Sequence, residues 1–358
     1  MDSKFNHQET EVDACVNAMI FPNSFLLPMI IKVAIDLNLF GIINKAGPDA
    51  HLSASEIASH LPTRNTQASA MLERILRFFA SHSILSHSLR DLENGGVEHV
   101  YGLVSATRFF LGTGEEVNLT PLVELGCLPV TLDVWSHLKD AILGGGDLFT
   151  IFKKMSLFDY MDKDQTFNST FNRAMAGIAH VTVKEVLAKY KGLEGVRTLV
   201  DVGGGTGTTL NMIISKYPSI KGINYDLPHV IESAPPYPGI KHVGGDMFTR
   251  IPKGDAVIMK SICHNWDDQS VVKFLRNIYQ ALPEDGKLIM INETLPEVPE
   301  TSKSSQYVSR MDMIMFTLPG GKERTAKQYE ALTRAAGFSR FNVACIVHGI
   351  WTVTESYK

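Results

Sequence analysis

One stretch of this chain, residues 199–210, constrains the fold more than any other. It runs LVDVGGGTGTTL: apolar residues lead into Asp201, glycines follow at 203, 204, 205 and 207, and a helix-like pattern comes next. Glycine allows a sharp turn and a close approach of backbone to a ligand, and the start of a helix offers free N–H groups. The stretch therefore predicts a strand, a sharp turn and the start of a helix, built to bind a ligand.

The spacing of the glycines narrows the choice of ligand. A dinucleotide fingerprint is G-x-G-x-x-G, and counted from Gly205 its last glycine would fall on Leu210. No Lys-Ser/Thr pair follows the glycines, which argues against a P-loop. Asp226 ends the next predicted strand, where an acid suits the two hydroxyls of a ribose. A nucleoside without a pyrophosphate, such as S-adenosylmethionine, fits best; taken alone, the glycines could also form a plain tight turn.

Composition excludes several classes of protein. The 358 residues, 44% of them hydrophobic, are enough for two domains. A net charge of −4 and an isoelectric point near 6.3 argue against nucleic acid or an anionic membrane as partner. The four cysteines are scattered without a C-x-x-C pair, so neither a disulfide framework nor a zinc site is expected.

The N-terminal segment is expected to be neither a signal peptide nor a membrane span. Residues 1–13 are polar and of mixed charge, unlike a signal peptide. The apolar stretch 19–43 is interrupted by prolines and charges, which predicts two buried helices. Residues 25–43 are apolar almost all round, so either a second subunit or the same chain must bury them. A cytoplasmic protein is predicted.

Three regions follow from the residue pattern. Residues 1–117 are predicted to form a winged-helix-like dimerisation domain, because Ser53 and Glu56 make a capping box ahead of a second helix and a hairpin. Residues 118–190 are predicted to be a helical substrate-binding region, although an aromatic and Met stripe is also typical of plain core. Residues 191–358 alternate strands and helices, which predicts an α/β, Rossmann-like, doubly wound and mostly parallel sheet. Strands are predicted at 197–202, 221–226, 240–244, 255–260, 286–292, 340–346 and 349–355.

The carboxyl ends of these strands carry residues suited to chemistry, and parallel sheets bind their ligands at that edge. The residues at the strand ends are Gly203, Asp226, Asp246, Lys260 and Asn292. His264 follows the fourth strand, where it could act as general base toward a phenol, whose pKa is about 10. A carboxylate would orient the imidazole, and Glu293 and Glu323 are the candidates. The alternative role of Glu323 is to interact with a helix dipole.

Several longer strings carry a resemblance to a known family. They are LVDVGGGTG (199–207), GINYDLPHVIESAP (222–235), HVGGDMF (242–248), DAVIMKSICHNW (255–266), PGGKERT (319–325), HLKDAILGGG (137–146) and LPMIIKVAIDLNLF (27–40). The chain resembles plant S-adenosylmethionine-dependent small-molecule O-methyltransferases of the caffeic acid/isoflavone type over nearly its whole length. The resemblance implies methyl transfer from S-adenosylmethionine to a phenolic hydroxyl of a phenylpropanoid, coumarin, flavonoid or alkaloid. It also implies S-adenosylhomocysteine as product, no metal, and a homodimer whose N-terminal helices complete the partner's site.

The resemblance further implies roles for single residues. His264 matches the general base, and Glu323 matches one of its two flanking acids. The donor would be held by Gly203, Asp226, Leu227, Asp246, Met247 and Lys260. The phenolic pocket would be lined by Leu125, Phe167, Phe171, Met175, Ile314, Met315 and Leu318.

The chain departs from the family pattern at the second flanking acid. That acid aligns with Asn292, and Glu293 lies one residue further along. Neighbouring side chains of a strand point to opposite faces, so Glu293 is expected to substitute only if the strand has a local bulge. Asn265 also replaces the usual aspartate after the histidine. Loss of one acid would weaken the electrostatic stabilisation of the imidazolium. A weaker base favours a substrate whose phenol is more acidic.

The predicted pocket departs from the pattern as well. Positions that are often polar in lignin-type members are Gly126, Thr131, Ile178 and Leu318 here. A flatter, more apolar ring is therefore expected, and hydroxycoumarins, flavonoids and alkaloid phenols all stay open.

Two other functions stay open at this point. Arylamine N-methylation on the same scaffold would not need the second acid, because an arylamine is already neutral and nucleophilic. A catalytically weak dimer partner would keep only the donor site. The presence of His264 and Glu323 favours transfer to oxygen.

Overall fold

The computed structural model describes residues 11–112 and 117–358, and the described part forms two compact units. The first unit ends at Pro129 and the second begins at Val130. The expected absence of a signal peptide concerns a segment that lies mostly outside the described residues. The partition into regions 1–117, 118–190 and 191–358 stays a prediction.

The first unit combines helices with a small antiparallel sheet of order β1-β3-β2. Its elements are α1 Glu11–Ile20, α2 Leu26–Asp36, α3 Leu39–Lys45, β1 His51–Ser53, α4 Ala54–Ser59, α5 Ala68–Ser81, β2 Leu85–Asp91, β3 Val97–Leu103 and α6 Thr120–Gly126, with 3₁₀ turns at Phe21–Asn23 and Ser105–Phe110. The predicted capping box is confirmed: the Ser53 N–H donates to Glu56 Oε2 at 2.7 Å, and the Glu56 N–H donates to Ser53 Oγ at 3.3 Å. The predicted hairpin is confirmed as β2 and β3.

Burial of the N-terminal helices differs along their length. In α3, Phe40 and Ile43 pack into a core with α5. Among the described residues of α1 none is buried, and Met19 and Phe25 are 68% and 62% exposed. The expectation of two buried helices is therefore right for α3 and one face of α2, and wrong within this unit for the segment before Leu26. Because these apolar side chains are not covered by other residues of the unit, the unit presents an apolar surface.

The N-terminal helices bear on the expectation that residues 19–43 do not span a membrane. Within the described residues, no single helix is long and apolar enough to span a bilayer. One bent pair, Glu11–Asn23 with Leu26–Asp36, meets the length and composition criteria at an angle of 51°.

The second unit begins with helices and continues as an alternating α/β fold. Its helices are α7 Pro129–Asp133 (which starts one residue before the division), α8 Leu138–Gly144, α9 Leu148–Lys153, α10 Leu157–Lys163, α11 Gln165–Lys189, α12 Thr208–Lys216, α13 Pro228–Glu232, α14 Asp268–Ala281, α15 Lys303–Thr317 and α16 Ala326–Ala336. Its strands are β4 Thr198–Val202, β5 Lys221–Asp226, β6 Ile240–Gly244, β7 Ala256–Lys260, β8 Lys287–Leu295, β9 Arg324–Thr325, β10 Arg340–Val347 and β11 Trp351–Tyr357. The predicted doubly wound sheet is confirmed.

The sheet has the order β10-β11-β8-β7-β4-β5-β6, and β9 pairs with β8. Strands β4 to β8 run parallel, whereas β10 and β11 are antiparallel at one edge. Helices cover both faces: α14 and α16 pack on one, α11 and α12 on the other. Strands buried on both faces have continuous apolar runs, as Leu199 and Val200 show. The strand order reverses between β4 and β7, which opens a crevice at their carboxyl ends.

Candidate active site

The glycine loop after β4 adopts a backbone that side chains would disfavour. Gly203, Gly205 and Gly207 have φ values of 72°, 58° and 90°. The Gly205 N–H donates to Asp226 Oδ2 at 2.8 Å, and Asn224 Nδ2 donates to the Gly205 carbonyl at 2.8 Å. Strand β5 therefore holds the loop, while a Cβ at Gly205 would meet no described atom within 4 Å. The backbone there is open to close approach by a ligand.

The residues predicted to bind the methyl donor lie at the ends of neighbouring strands. Asp226 ends β5, and its Oδ1 accepts from the Leu227 N–H at 2.7 Å. A carboxylate has about four acceptor positions, so Asp226 keeps capacity for the hydroxyls of a ribose. After β6, Asp246 Oδ1 accepts from the Phe248 N–H at 2.9 Å, and the Met247 carbonyl accepts from an amide of α14 at 2.8 Å. The strand ends thus bring these residues together on one edge.

Two ionisable residues interact electrostatically near this edge: Asp201, buried in β4, and Lys260, which ends β7. Asp201 is 1% exposed, and its Oδ2 has no hydrogen-bond partner among the described residues. Burial raises the pKa of Asp201 to about 7, against the opposing effect of the Lys260 ammonium. Burial lowers the pKa of Lys260, whereas the charges of Glu293 and Asp201 act in the opposite direction. Lys260 therefore interacts electrostatically with acids on both sides, a role for Asp201 that the sequence did not predict.

His264 and Glu323 form a hydrogen-bonded pair. His264 lies in a 3₁₀ turn, Cys263–Asn265, directly after β7, and its Nδ1 donates to Glu323 Oε1 at 2.7 Å. Burial lowers the pKa of His264, but the charge and hydrogen bond of Glu323 raise it by more, so the pKa lies above its ordinary value. Burial raises the pKa of Glu323. Because Nδ1 donates to Glu323, Nε2 is the ring nitrogen that is free to take up a proton.

Glu293 is a second acid close to the pair of His264 and Glu323. Trp351 Nε1 donates to its Oε1 at 2.9 Å, and Ser261 Oγ donates to its Oε2 at 3.0 Å. Ligating atoms of His264, Glu293 and Glu323 lie within 4.8 Å of one another, so these three residues could also hold a metal ion.

The expectation that Glu293 needs a bulge is wrong. Around Glu293 and Asn292, the described pairing of β8 with β11 continues without a register shift. Ser261, directly after β7, has a left-handed φ of 52°, and its hydroxyl donates to the Glu293 carboxylate. Asn292 lies on the opposite face, 2% exposed, with an Nδ2 that finds no partner within the described part of the chain.

The PGGKERT loop and the His264 turn are joined by backbone contacts. The Lys322 N–H donates to the His264 carbonyl at 2.8 Å, and a Cβ at Gly321 would overlap that same oxygen. Arg324 is fully buried and donates to the Cys263 carbonyl at 2.8 Å and to the Trp266 carbonyl at 2.7 Å. These contacts hold His264 and Glu323 in fixed relation, and Arg324 was not predicted to take part.

Glu323 does not take the alternative role at a helix start. Helix α16 begins at Ala326, and its N-cap is Thr325, which accepts from the Gln328 N–H at 3.4 Å. The Glu323 carboxylate instead faces His264.

The predicted pocket residues fall into three groups. Phe167 and Phe171 stack on α11, with ring centroids 6.4 Å apart, and Met175 is half-buried further along that helix. Ile314 and Met315 lie on α15 and Leu318 just beyond it, and the Met315 carbonyl accepts from the Gly321 N–H at 2.9 Å. The second group therefore adjoins the loop that bears Glu323. Leu125 is buried in the first unit.

An aromatic row runs from the first group to the PGGKERT loop. Tyr160 packs edge-on against Phe167 and against Phe149, each with centroids 5.5 Å apart. Phe149 lies on α9, whose N-cap Asp147 is so close to Gly320 that a Cβ at Gly320 would overlap it. Phe149 and Phe167 are almost fully buried, so the row forms an aromatic core that begins beside the loop carrying Glu323.

The chain is similar to known proteins over almost its full length. Residues 135–339 match the model of the O-methyltransferase domain, and residues 19–113 match the O-methyltransferase dimerisation domain. Caffeic acid 3-O-methyltransferase of Catharanthus roseus is 48% identical, over 98% of this chain and 97% of the relative. Esculetin O-methyltransferase of Kitagawia praeruptora is 48% identical, over 96% and 94%. Human N-acetylserotonin methyltransferase in complex with SAM has the same fold, with a TM-score of 0.81, 21% identity and 99% of each chain covered.

Proposed function

Because this chain belongs to the plant S-adenosylmethionine-dependent O-methyltransferases of the caffeic acid type, we propose that His264 takes the proton of the phenolic hydroxyl being methylated. The observation that carries this proposal is the 2.7 Å contact between His264 Nδ1 and Glu323 Oε1. A carboxylate on Nδ1 sets the tautomer, raises the basicity of Nε2 and stabilises the imidazolium that forms.

The reaction is an in-line displacement in which the chain positions groups and moves one proton. S-adenosylmethionine, when bound, supplies a methyl group on a sulfonium, and transfer to the phenolic oxygen leaves S-adenosylhomocysteine. His264 Nε2 receives the phenolic proton as the oxygen attacks, and Glu323 and Glu293 balance the positive charge on the ring. In this proposal no metal cofactor takes part, since the histidine and its acids supply the base.

The donor is proposed to bind at the glycine loop and the neighbouring strand ends. The open backbone at Gly205 and the remaining acceptor capacity of Asp226 fit a nucleoside. The proposed donor residues are Gly203, Asp226, Leu227, Asp246, Met247 and Lys260. Lys260 interacts electrostatically with Asp201 and Glu293 at this edge.

The acceptor is proposed to be a flat phenol of the kind that the relatives' names indicate, caffeic acid or the coumarin esculetin. The half-buried ring of Phe171, stacked on the buried Phe167, supports this choice, because an aromatic acceptor packs favourably against such a face. The proposed lining is Leu125, Phe167, Phe171, Met175, Ile314, Met315 and Leu318.

The dimerisation domain indicates a homodimer, and we propose that the N-terminal helices complete the partner's site. The support is the apolar surface of the segment before Leu26, where Met19 and Phe25 are exposed. A cytoplasmic location is also proposed, on the strength of the four free cysteines. The net charge of −4 argues against a membrane or nucleic-acid partner.

An acceptor screen tests the proposed function. Full-length enzyme with labelled S-adenosylmethionine is expected to methylate esculetin and caffeic acid at least about 10²-fold faster than anthranilate, because the buried base serves a neutral hydroxyl. Product identification by mass spectrometry separates O- from N-methylation. Transfer to the amine alone would contradict the proposal, and donor binding without any transfer would favour a catalytically weak partner.

A paired substitution identifies the second acid. Glu293→Gln is expected to lower kcat/KM by about 10- to 100-fold, because it removes a charge that faces His264. Asn292→Ala is the matched neighbour and should change kcat/KM by less than about threefold, since its amide faces away from the pair. Thermal unfolding of both variants provides the control, because Gln at 293 leaves the Trp351 or Ser261 donor mispaired at a cost of about 1–3 kcal/mol. A larger loss in the Asn292 variant would show that the aligned position is the active one.

A further inference from the structure

The three residues around His264 have the composition of a transition-metal site. One imidazole and two carboxylates, from the turn after β7, from β8 and from the PGGKERT loop, bring ligating atoms within 4.8 Å of one another. Nitrogen and oxygen ligands of this kind bind Zn²⁺ and similar divalent ions, and the ligating atoms of tetrahedral zinc lie about 3.3 Å apart. Small side-chain rotations would therefore bring these atoms to coordinating distance.

A second observation points to an unmet ligand. Glu323 is 3% exposed, and its Oε2 has no hydrogen-bond partner in the described part of the structure. A buried carboxylate oxygen without a partner is costly, and a cation between Glu323 and Glu293 would satisfy it. Both oxygens of Glu293 already accept hydrogen bonds, from Trp351 and Ser261, and these donors orient it as outer-shell groups orient metal ligands.

We propose that His264, Glu293 and Glu323 bind a divalent transition-metal ion of the Zn²⁺ type, and that the bound ion inhibits methyl transfer. The inhibitory part rests on the proposed role of His264 as base. A metal on Nδ1 releases one proton to solvent and leaves the imidazole with its N–H on Nε2, which can then not take the phenolic proton; the ion also occupies both acids that stabilise the imidazolium. Lys260, whose ammonium interacts with Glu293 and His264, opposes the cation and limits its affinity.

Calorimetry on the chelator-treated, full-length protein tests binding without reference to activity. Zn²⁺ is expected to bind at one ion per chain, and Glu323→Gln should weaken the Kd at least about 10-fold. The matched control is His87→Gln, which breaks the exposed histidine pair formed by His87 Nε2 and His99 Nδ1 at 2.7 Å, and it should leave Zn²⁺ binding unchanged. No stoichiometric binding, equal binding by Glu323→Gln, or loss of binding in His87→Gln would overturn the site.

A second measurement tests the consequence of binding. Methylation of the best phenol should fall at least about 10-fold at saturating Zn²⁺ and recover on addition of a chelator. A rate that rises with bound Zn²⁺ would overturn the proposal, because the ion would then be a cofactor. If the enzyme methylates no phenol, the proposed function fails while calorimetry still decides whether the metal site exists.

Discussion

Replacing His264 with glutamine is expected to lower kcat/KM for a phenolic acceptor by about 10³-fold, the largest single effect predicted for this enzyme. The affinity for S-adenosylmethionine should stay within about twofold, because donor binding is assigned to the glycine loop and the strand ends. Glutamine keeps a polar group of similar length and leaves Glu323 a hydrogen-bond donor, so the change removes basicity rather than packing.

The physical reason is the state of the acceptor. A phenol with a pKa of about 10 is almost wholly neutral at pH 7, and a neutral oxygen is the weaker nucleophile. Without a base the enzyme depends on the small fraction of phenolate. The loss should therefore shrink by at least about 10-fold for an acceptor whose hydroxyl is two or three pKa units more acidic, such as a nitro-substituted catechol.

Steady-state kinetics with both acceptors, together with calorimetry of S-adenosylmethionine, measures this result. His60→Gln provides the matched control, because His60 is exposed at the end of α4 in the first unit. Equal losses for ordinary and acidic phenols would rule out the role of base. A loss of donor affinity that parallels the loss of rate would assign His264 to binding.

Glu323→Gln is expected to lower kcat/KM by about 10²-fold and to move its acid limb to lower pH. His264 acts as base only when neutral, and the Glu323 charge and hydrogen bond are what raise its pKa against the effect of burial. Activity should therefore rise with pH through this raised pKa in the parent enzyme. Removal of the carboxylate lowers the pKa of His264, so the neutral imidazole persists to lower pH while the imidazolium loses its stabilising charge.

A pH profile of kcat/KM separates this effect from a simple loss of structure, because unfolding would lower activity without moving the limb in that direction. Glu330→Gln is the matched control: the Glu330 side chain on α16 is 38% exposed, and among the contacts described its carboxylate pairs only with Arg334, four residues along. If the acid limb of the Glu323 variant stays at the pH of the parent enzyme, a group other than His264 controls it. If the limb moves to higher pH, Glu323 does not raise the pKa of His264.

Much of the fold could be predicted from residue pattern because the signals are local. Strands buried on both faces have apolar runs, as in β4 and β7, and glycines with positive φ mark the turn that follows β4. The capping box of Ser53 and Glu56 spans only four residues. In a parallel sheet the carboxyl ends of the strands lie on one edge, so the strand pattern alone predicts that Gly203 and Asp226 share that edge.

The arrangement of the acids could not be predicted in the same way. Alignment pointed to Asn292, but it is Glu293 that faces His264. Its carboxylate accepts hydrogen bonds from Ser261 and from Trp351, and Trp351 lies 58 residues beyond Glu293 in the chain. The same limit applies to Arg324, which reaches the Cys263 carbonyl from 61 residues along the chain. No periodicity encodes contacts of such separation.

The sequence by itself therefore determined the class of fold, the edge of the sheet that carries the site, and the residue types available there. Only the tertiary structure decided which acid meets His264, which loop holds Glu323 against it, and that the segment before Leu26 stays apolar and uncovered within its unit. The physical reason is that secondary structure follows from side chains close along the chain, whereas a catalytic cluster depends on a few ångströms between groups that only packing brings together.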